Sequence, residues 1–340
     1  NNTFDRRVNI IIFDEADYDF ITLNTKKLKL NNFNKLMEKS LSFTNAYPPG
    51  KDTVQSIPNL LMGEDGTGTF SYDRKLVYFK KKHEKKNFTY ENTFLNLSKK
   101  RDNVGIIAGA GPQIIYCQYL KISLCKDISN DISFKYINLN GFEFVTSIIN
   151  SIFKSYLFDI ERQKTDIKLM RFLDKKKSKK DNVNLNKNLD TLATKLLQNK
   201  NVEIAYIHYP YPHYPDHYAK EILGSNLKQD WYSLNIMLMD KTIGNILRSI
   251  DDKKIKTMTI ITSDHGLRFL KKEIKEIRRV PYIININYDN KKLEFNKDFS
   301  TFHTKKIIQK FLNNEVISYL DIANIAKNLP VIKHNKLSTD

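Results

Sequence analysis

Acidic and histidine side chains follow three separate apolar stretches of the chain. The stretches are residues 8–13, 202–207 and 257–262, and the polar residues that follow them are Asp14-Glu15, His208 and Asp264-His265. Short apolar runs that end abruptly in polar residues are typical of buried parallel strands. Carboxylates and imidazoles from neighbouring strands suit a divalent metal, with zinc, manganese and calcium as the candidates. These residues therefore predict a metal site.

A threonine hydroxyl lies near the predicted start of a short apolar helix. Residues 59–62 have the composition of a helix body, and Gly63 can close it because glycine adopts the left-handed cap conformation without strain. The free N–H groups and positive dipole end of a helix start attract anions, so Thr53 can approach a phosphoryl or sulfuryl group. Bound to a metal, this hydroxyl would act as a nucleophile near neutral pH. The alternative is that Thr53 or Ser56 only caps the helix.

Pro58 lies inside this segment. Proline lacks a backbone N–H and removes a hydrogen bond from a helix. We therefore expect the helix to begin at Ser56, which would leave Thr53 in the preceding loop.

Three of the seven histidines fall between residues 208 and 217, interleaved with prolines and tyrosines. The prolines and aromatic residues predict a rigid loop, and clustered histidines on a loop are more often functional than packing residues. His208 and His213 are candidates to donate a proton to a leaving group or to bind substrate oxygens. Taken alone, Asp14-Glu15 could cap a helix and Asp264-His265-Gly266 could form a turn. Their joint occurrence at strand ends favours a functional site.

Apolar strands alternate with helical segments along the chain. Further strands are predicted at 42–46, 76–79, 104–108 and 280–286, and helices at 32–39, 93–99, 142–157, 189–197, 232–250, 305–312 and 316–327. The alternation predicts an α/β fold with a mostly parallel central sheet and helices on both faces. Ligands bind outside the carboxyl ends of such strands. Residues 1–340 are expected to form one catalytic domain, with a flexible Lys/Asn-rich loop or insertion around 174–188.

The amino-acid composition limits the kinds of molecule that this protein is expected to bind. A chain of 340 residues with 41% hydrophobic content can bury a large core, which excludes a disordered tail. Its net charge of +18 is spread over short lysine-rich runs such as 80–82 and 175–180 and favours anionic partners, including a membrane surface. No nucleic-acid module is recognisable, so nucleic acid is not expected. No apolar run is long enough to span a membrane, and a chain that opens at Asn1 without methionine suggests an excised or processed domain.

The two cysteines, Cys117 and Cys125, flank a short segment. They could form a local disulfide in an oxidising compartment, or remain as two buried thiols. The spacing leaves both alternatives open.

Taken together, these motifs resemble the alkaline phosphatase/sulfatase superfamily over residues 8 to about 312. The matching features are Asp14-Glu15, Thr53 ten residues before Gly63, His-x-Pro-x-Pro-His-x-Pro at 208–215 and Thr-Ser-Asp-His-Gly at 262–266, with minor matches at Asp240, Gly244 and 279–283. The resemblance implies an alkaline-phosphatase-like fold in which Thr53 is both metal ligand and nucleophile and forms a covalent phospho-enzyme. The metal ligands implied are Asp14, Glu15, Thr53, Asp264 and His265. The substrate-binding residues implied are His208, His213 and Arg268, where the histidines match residues that contact substrate or a second metal.

The residues around Thr53 distinguish members of this superfamily. Sulfatases carry Cys/Ser-x-Pro-x-Arg, whose first residue is oxidised to formylglycine, whereas residues 53–57 read Thr-Val-Gln-Ser-Ile and lack the arginine. A threonine nucleophile is similar to phosphoethanolamine transferases and lipoteichoic acid synthases. The predicted function is therefore a metal-dependent phosphotransferase or phosphodiesterase acting on an anionic lipid-linked or glycan substrate. The alternatives are a sulfatase-like ester hydrolase and a catalytically silent domain that binds an anionic glycan.

The cysteine pair also resembles membrane-anchored sulfatase-like proteins whose catalytic domain faces the periplasm. The resemblance implies a periplasmic or other extracytoplasmic location for the chain, as the soluble part of a membrane-anchored protein.

Overall fold

A central sheet organises the protein, for which a computed structural model describes residues 4–70, 76–80, 84–109, 116–128, 179–224, 227–250, 254–268 and 277–330. The strands are β1 Arg6–Asp14, β2 Leu41–Phe43, β3 Ala46–Tyr47, β4 Gly66–Phe70, β5 Leu76–Lys80, β6 Glu84–Asn87, β7 Val104–Ala108, β8 Leu124–Asp127, β9 Ile204–Pro212, β10 Lys256–Ser263, β11 Tyr282–Ile286, β12 Leu293–Phe295 and β13 Phe299–Ser300. The helices are α1 Tyr18–Asn24, α2 Asn31–Met37, α3 Thr53–Met62, α4 Tyr116–Leu120, α5 Lys179–Gln198, α6 His217–Leu223, α7 Trp231–Ser249, α8 Thr304–Leu312 and α9 Tyr319–Lys327.

Eight strands form the main sheet in the order β12-β2-β11-β10-β1-β9-β7-β8. The strands from β10 to β8 in this order are mutually parallel, whereas β11 runs antiparallel to both of its neighbours. Every residue of β1 is buried, as expected for a strand at the centre of a sheet that is covered on both faces. The predicted α/β fold with a mostly parallel central sheet is thus confirmed.

Helices cover both faces of this sheet. Successive side chains of β1 point to opposite faces, so the strand contributes to an apolar cluster on each side. Ile10 and Ile12 belong to one apolar cluster, which includes residues of α3, α8 and α9. Ile11 and Phe13 belong to the other, which includes residues of α1, α2, α5 and α7. Each face of the central strand therefore supplies one layer of the core.

Four predicted elements differ from the structure. Residues 208–212, predicted as part of a rigid loop, are the last five residues of β9. Residues 93–99 contain a single 3₁₀ turn, Phe94–Leu97, rather than an α-helix, and the strand predicted at 42–46 is divided between β2 and β3. The loop predicted around 174–188 is wrong for residues 179–188, which form the first half of α5. Val183 and Leu189 of α5 are buried, so a few widely spaced apolar residues suffice to dock this helix. The helix predicted at 142–157 and residues 174–178 lie outside the described residues.

A disulfide joins Cys117 in α4 to Cys125 in β8 and decides between the two alternatives left open by the sequence. The backbone N–H of Cys117 also donates to Asp127 Oδ2 at 2.9 Å, at the carboxyl end of β8. Both links fasten α4 to the sheet. In the part of the chain that the structure describes, none of the helices is both long enough and apolar enough to cross a bilayer.

Candidate active site

The polar residues predicted from the sequence gather at one edge of the sheet. Ile12 in β1 pairs with His208 in β9 on one side and with Thr262 in β10 on the other. Because the three strands are parallel, Asp14 and Asp264 follow at the same carboxyl edge. A register shift between β1 and β9 falls between Phe13 and Asp14, and such irregularities re-aim side chains at strand ends.

Helix α3 begins at Thr53, so the expectation that it begins at Ser56 is wrong. Asp52 caps the helix, with its side chain accepting from the N–H of Gln55 at 3.0 Å. This cap stabilises the first turn, although Pro58, the sixth helical residue, has no N–H to donate to the carbonyl of Val54. Gly63 ends the helix with φ of 67°, as the sequence predicts. Thr53 is therefore the first helical residue rather than part of a loop.

The hydroxyl of Thr53 is hydrogen-bonded to Asp264, one of the acidic residues at the strand ends. Thr53 Oγ1 donates to Asp264 Oδ2 at 2.6 Å, and Thr53 is 7% exposed. The other carboxylate oxygen, Asp264 Oδ1, accepts from the backbone N–H groups of Glu15 at 3.1 Å and His265 at 2.8 Å. Asp264 is thus held by two strand ends and by α3. Because its O–H bond points at Asp264, the lone pairs of Thr53 Oγ1 are left for an electrophile.

Asp14, Asp264 and His265 form a group that fits a divalent metal. Their ligand atoms all lie within 4.8 Å of one another, and all three residues are buried. Asp14 Oδ1 and His265 Nε2 are 3.4 Å apart, and neither atom has a hydrogen-bond partner among the described residues. Two buried carboxylates repel each other unless a cation lies between them, and together with an imidazole they are ligands that a divalent metal binds. This donor set and its orphaned atoms fit the metal site predicted from the sequence.

His265 places its Nε2 atom 3.4 Å from Asp14 Oδ1 and 3.6 Å from Asp264 Oδ2. Its Nδ1 lies 2.9 Å from the carbonyl oxygen of Gly266, which can only accept, so Nδ1 carries the hydrogen. In the neutral ring Nε2 is then the bare nitrogen, as in metal-binding histidines whose other nitrogen donates to a carbonyl. Burial opposes protonation of His265, but the carboxylates of Asp264 and Asp14 outweigh it and raise the pKa of His265 to about 9. The same contact holds the pKa of Asp14 well below its usual range despite burial.

Metal binding is expected to release about one proton per site at pH 7, because His265 is protonated below its raised pKa of about 9 and must lose that proton to become a ligand. By the same argument metal affinity rises with pH up to about 9. Calorimetric titration with zinc in buffers of different ionisation enthalpy measures this release. Release should persist in His217→Asn, a histidine outside the group, and vanish in His265→Ala. Identical heats in all buffers would exclude His265 from the metal site.

Glu15 lies beside this group rather than in it. Its side chain is fully buried, and its backbone has φ of 72°, a conformation that non-glycine residues adopt mainly at strained or functional positions. Glu15 Oε1 accepts from the backbone N–H of Arg268 at 3.0 Å, and Oε2 lies 3.8 Å from His213 Nε2. Glu15 therefore links the two predicted substrate-binding residues that flank the site.

Several supporting residues were missed by the sequence analysis. The hydroxyl of Tyr232 in α7 donates to the carbonyl of Glu15 at 2.8 Å and accepts from the N–H of Asp17 at 3.0 Å, which fixes the loop after β1. Asp17 is also paired with Arg278. A Cβ on Gly266 would lie 2.8 Å from Arg278 Cβ, so glycine is required at that position. These contacts join distant segments and leave no local signal in the sequence.

His208 is buried below the same edge and is held by tyrosines that the sequence analysis also missed. Its Nδ1 lies 2.7 Å from the hydroxyl of Tyr116 in α4, and that hydroxyl lies 3.2 Å from the hydroxyl of Tyr206. Burial lowers the pKa of His208, against the opposing effect of Asp264 and Asp14, and so favours a neutral ring. Tyr206 lies two residues before His208 in β9, so the period of a strand could have placed it on the same face.

A cationic cleft opens beside His265. It has a volume of about 220 Å³ and is lined by Pro48, Gly50, Lys51, His265, Gly266, Leu267, Arg268, Ile277 and Arg278. Lys51, Arg268 and Arg278 place three cationic side chains along its walls, of which Arg278 is paired with Asp17 and Arg268 Nε lies 3.5 Å from Glu15 Oε1. Clefts lined by charge of one sign concentrate ligands of the opposite sign, so this cleft suits an anionic substrate.

Comparisons with known proteins agree with this architecture. A protein-family model described as Sulfatase matches residues 7–314. A sulfatase from Pseudoalteromonas sp. is similar in structure, with a TM-score of 0.55, 13% identity, and coverage of 97% of this chain and 72% of that one. The phosphonate monoester hydrolase of Agrobacterium radiobacter is similar with a TM-score of 0.51 and 12% identity, and the match covers 90% of this chain and 73% of that one. The soluble domain of lipooligosaccharide phosphoethanolamine transferase A from Neisseria meningitidis is similar with a TM-score of 0.50 and 12% identity, and the match covers 92% of this chain and 90% of that one. No curated protein matches the chain in sequence.

Proposed function

This chain belongs to the Sulfatase family, and we propose that it is a metal-dependent phosphotransferase or phosphodiesterase that works through a covalent phospho-threonine at Thr53. The proposed substrate is an anionic lipid-linked or glycan molecule. The observation that carries the proposal is the hydrogen bond of 2.6 Å from Thr53 Oγ1 to Asp264 Oδ2, which places a threonine hydroxyl at a helix start and against a metal-type group.

The residues of this edge have distinct roles in the proposed reaction. Asp14, Asp264 and His265 would hold the metal, and when bound the metal supplies positive charge beside the nucleophile and the oxygens of the transferred group. Thr53 Oγ1 passes its proton to Asp264 Oδ2 and attacks phosphorus, the bond to the leaving oxygen breaks, and His213 gives that oxygen a proton, while the neutral ring of His208 supplies only a hydrogen bond to it. Lys51 and Arg268 bind the anionic group in the cleft. An acceptor hydroxyl or water then attacks phosphorus and gives its proton to His213, and Thr53 takes its own proton back from Asp264 as it leaves.

The nucleophile favours phosphate over sulfate chemistry. Thr53 carries a methyl group on Cβ, so oxidation cannot convert it to the formylglycine aldehyde of sulfatases. The Neisseria transferase domain and the Pseudoalteromonas sulfatase, at 12% and 13% identity, both share the fold of this chain.

An extracytoplasmic location and a membrane-facing role accompany this proposal. The Cys117–Cys125 disulfide is of the kind that persists in oxidising compartments. The net charge of +18 would draw the protein to anionic headgroups, where a lipid-linked substrate is found.

A panel of three nitrophenyl esters distinguishes the candidate functions. With added zinc, manganese or calcium, we expect turnover of the phosphodiester to exceed that of the phosphomonoester and of the sulfate, and to be lost with a chelator. Faster hydrolysis of the sulfate would support an ester hydrolase of the sulfatase type. Absence of turnover on all three esters, with metal bound, would instead support a catalytically silent domain that binds an anionic glycan.

A further inference from the structure

A row of large apolar side chains lies at the carboxyl edge of the sheet, beside the candidate site. The ring centroids of Tyr214 and Trp231 are 5.8 Å apart, and those of Trp231 and Tyr232 are 5.4 Å apart. Phe20 of α1 also contacts Tyr232, at 4.8 Å between centroids. Leu23 lies three residues after Phe20 and therefore on the same side of α1. We call Tyr214, Trp231, Phe20 and Leu23 the apolar rim.

The apolar rim is exposed although its side chains are large. Leu23 is 83% exposed and Tyr214 is 53% exposed, whereas Trp231 and Phe20 are partly exposed. A single exposed apolar side chain needs no explanation, because much of any protein surface is apolar. Apolar side chains that are grouped in one place mark interaction surfaces instead. The apolar rim is therefore a candidate docking surface.

The apolar rim is connected to the candidate site. The side chain of Asn235 in α7 donates to the carbonyls of His213 at 3.1 Å and of Pro215 at 3.4 Å, which flank Tyr214. His213 Nε2 in turn lies 3.8 Å from Glu15 Oε2. A partner that covers the apolar rim is thus brought to the edge of the sheet that carries the candidate metal group.

The charges around the apolar rim favour an anionic partner. The exposed lysines on the adjoining segments are Lys26, Lys27, Lys29 and Lys228. On the same segments, Asp19 is paired with Arg279, and Asp230 accepts from the first N–H groups of α7. Tryptophan, tyrosine, phenylalanine and leucine side chains insert at the interface of a bilayer, and lysines beside them attract anionic headgroups. This combination fits the surface of an anionic bilayer.

A second pair of exposed apolar residues lacks this setting. Ile317 is 66% exposed and Leu320 is 61% exposed, around the start of α9. They lie near the opposite edge of the sheet, because Arg6 at the amino end of β1 donates to the carbonyl of Val316 at 2.9 Å. The carboxylate of Asp321 accepts from the N–H of Ile317, and an anionic surface would repel it. This pair therefore provides a control surface.

We propose that the apolar rim docks the protein onto an anionic lipid bilayer, with its side chains at the level of the headgroups and the adjoining lysines beside the lipid phosphates. The carboxyl edge of the sheet then lies next to the surface on which a lipid-linked substrate is found. The docking itself does not depend on the proposed function. Only the delivery of a lipid-linked substrate rests on it.

Trp231 is the single tryptophan of the chain, so its fluorescence reports on the apolar rim directly. On vesicles of phosphatidylcholine with about one third phosphatidylglycerol, we expect its emission to shift to shorter wavelength and to be quenched by phospholipids brominated in their acyl chains. Vesicles of phosphatidylcholine alone should bind more weakly. Absence of binding, binding without quenching of Trp231, or equal binding to the two kinds of vesicle would overturn the proposal.

Two variants with the same change in charge test the position of the docking surface. Leu23→Asp should lower the partition coefficient on the anionic vesicles by about tenfold or more, because it removes an apolar side chain from the interface and adds a charge that the headgroups repel. Ile317→Asp is the matched control and should bind like the wild type. Co-sedimentation measures both. Equal losses in the two variants would contradict docking through the apolar rim.

Turnover of the soluble nitrophenyl phosphodiester separates this inference from the proposed function. Leu23→Asp should keep that turnover, since the side chain of Leu23 is mostly exposed and lies outside the metal group. Insertion of Trp231 into vesicles without any turnover would support the docking and refute the proposed function. Turnover without insertion would do the reverse. Dimers of the wild type that Leu23→Asp prevents, without insertion, would assign the apolar rim to a second copy of the chain and overturn the docking. Thermal unfolding checks that each variant is folded, and the wild-type fluorescence decides the docking by itself.

Discussion

Replacement of Thr53 with alanine is expected to lower phosphodiester turnover by roughly 10³-fold or more, because it removes the proposed nucleophile and not merely a binding group. Thr53→Ser keeps a hydroxyl at the start of α3 and should retain a substantial part of the activity. Initial rates with the nitrophenyl phosphodiester measure both effects. Intact-mass measurement after rapid acid quenching should detect a phosphoryl adduct in the wild type that is absent from Thr53→Ala.

Ser56→Ala is the matched control for this prediction. Ser56 is buried on the same helix, and its hydroxyl has no hydrogen-bond partner among the described residues. Its removal should leave turnover unchanged and be nearly neutral for stability, since no hydrogen bond is lost. Retained diester turnover in Thr53→Ala, with metal bound and the protein folded, would eliminate Thr53 as the nucleophile.

The second large expected effect is a loss of metal binding when a residue of the Asp14, Asp264 and His265 group is replaced. Asp14→Asn is expected to weaken zinc binding by at least about 100-fold, because it removes one of three charged or imidazole ligands whose atoms converge within 4.8 Å. Phosphodiester turnover should fall in parallel. In the wild type, zinc should raise the free energy of unfolding by about 2.7 kcal/mol at a free concentration of 100 Kd, since ligands of the native state stabilise it by mass action. Thermal unfolding and calorimetry measure the two quantities.

Asp240→Asn is the corresponding control for a buried aspartate. Asp240 accepts from the backbone N–H of Phe33 at 2.7 Å and from the side chain of Asn32 at 2.9 Å, and it therefore ties α2 to α7 away from the metal group. This variant should lose stability but keep zinc affinity. Equal stabilisation of Asp14→Asn and the wild type by zinc would show that the metal binds elsewhere.

Local signals accounted for the sheet and for the residues at its edge. The apolar run before Asp14 and the strand predicted at 257–262 before Asp264 indicated buried parallel strands, and parallel strands that are neighbours bring their carboxyl ends to the same edge. The start of α3 was wrong because Pro58 was weighted above Asp52, although an aspartate directly before a helix is itself a local cap signal. The helical part of residues 174–188 was missed because few apolar residues mark its buried side, and tertiary packing supplied what local pattern did not.

The sequence by itself determined which chemical groups this protein brings to the carboxyl edge of its sheet, because the type of a side chain and its position at the end of an apolar strand are local properties. Only the tertiary structure decided how those groups are held. Tyr116 reaches His208 across 92 positions of the chain, and Tyr232 reaches Glu15 across 217. Such contacts leave no periodic trace in the sequence, yet they hold the ring of His208 and the backbone of Glu15 at the carboxyl edge of the sheet. The tertiary structure thereby brings His265 beside Asp14 and Asp264 and places the buried His208 against the hydroxyl of Tyr116.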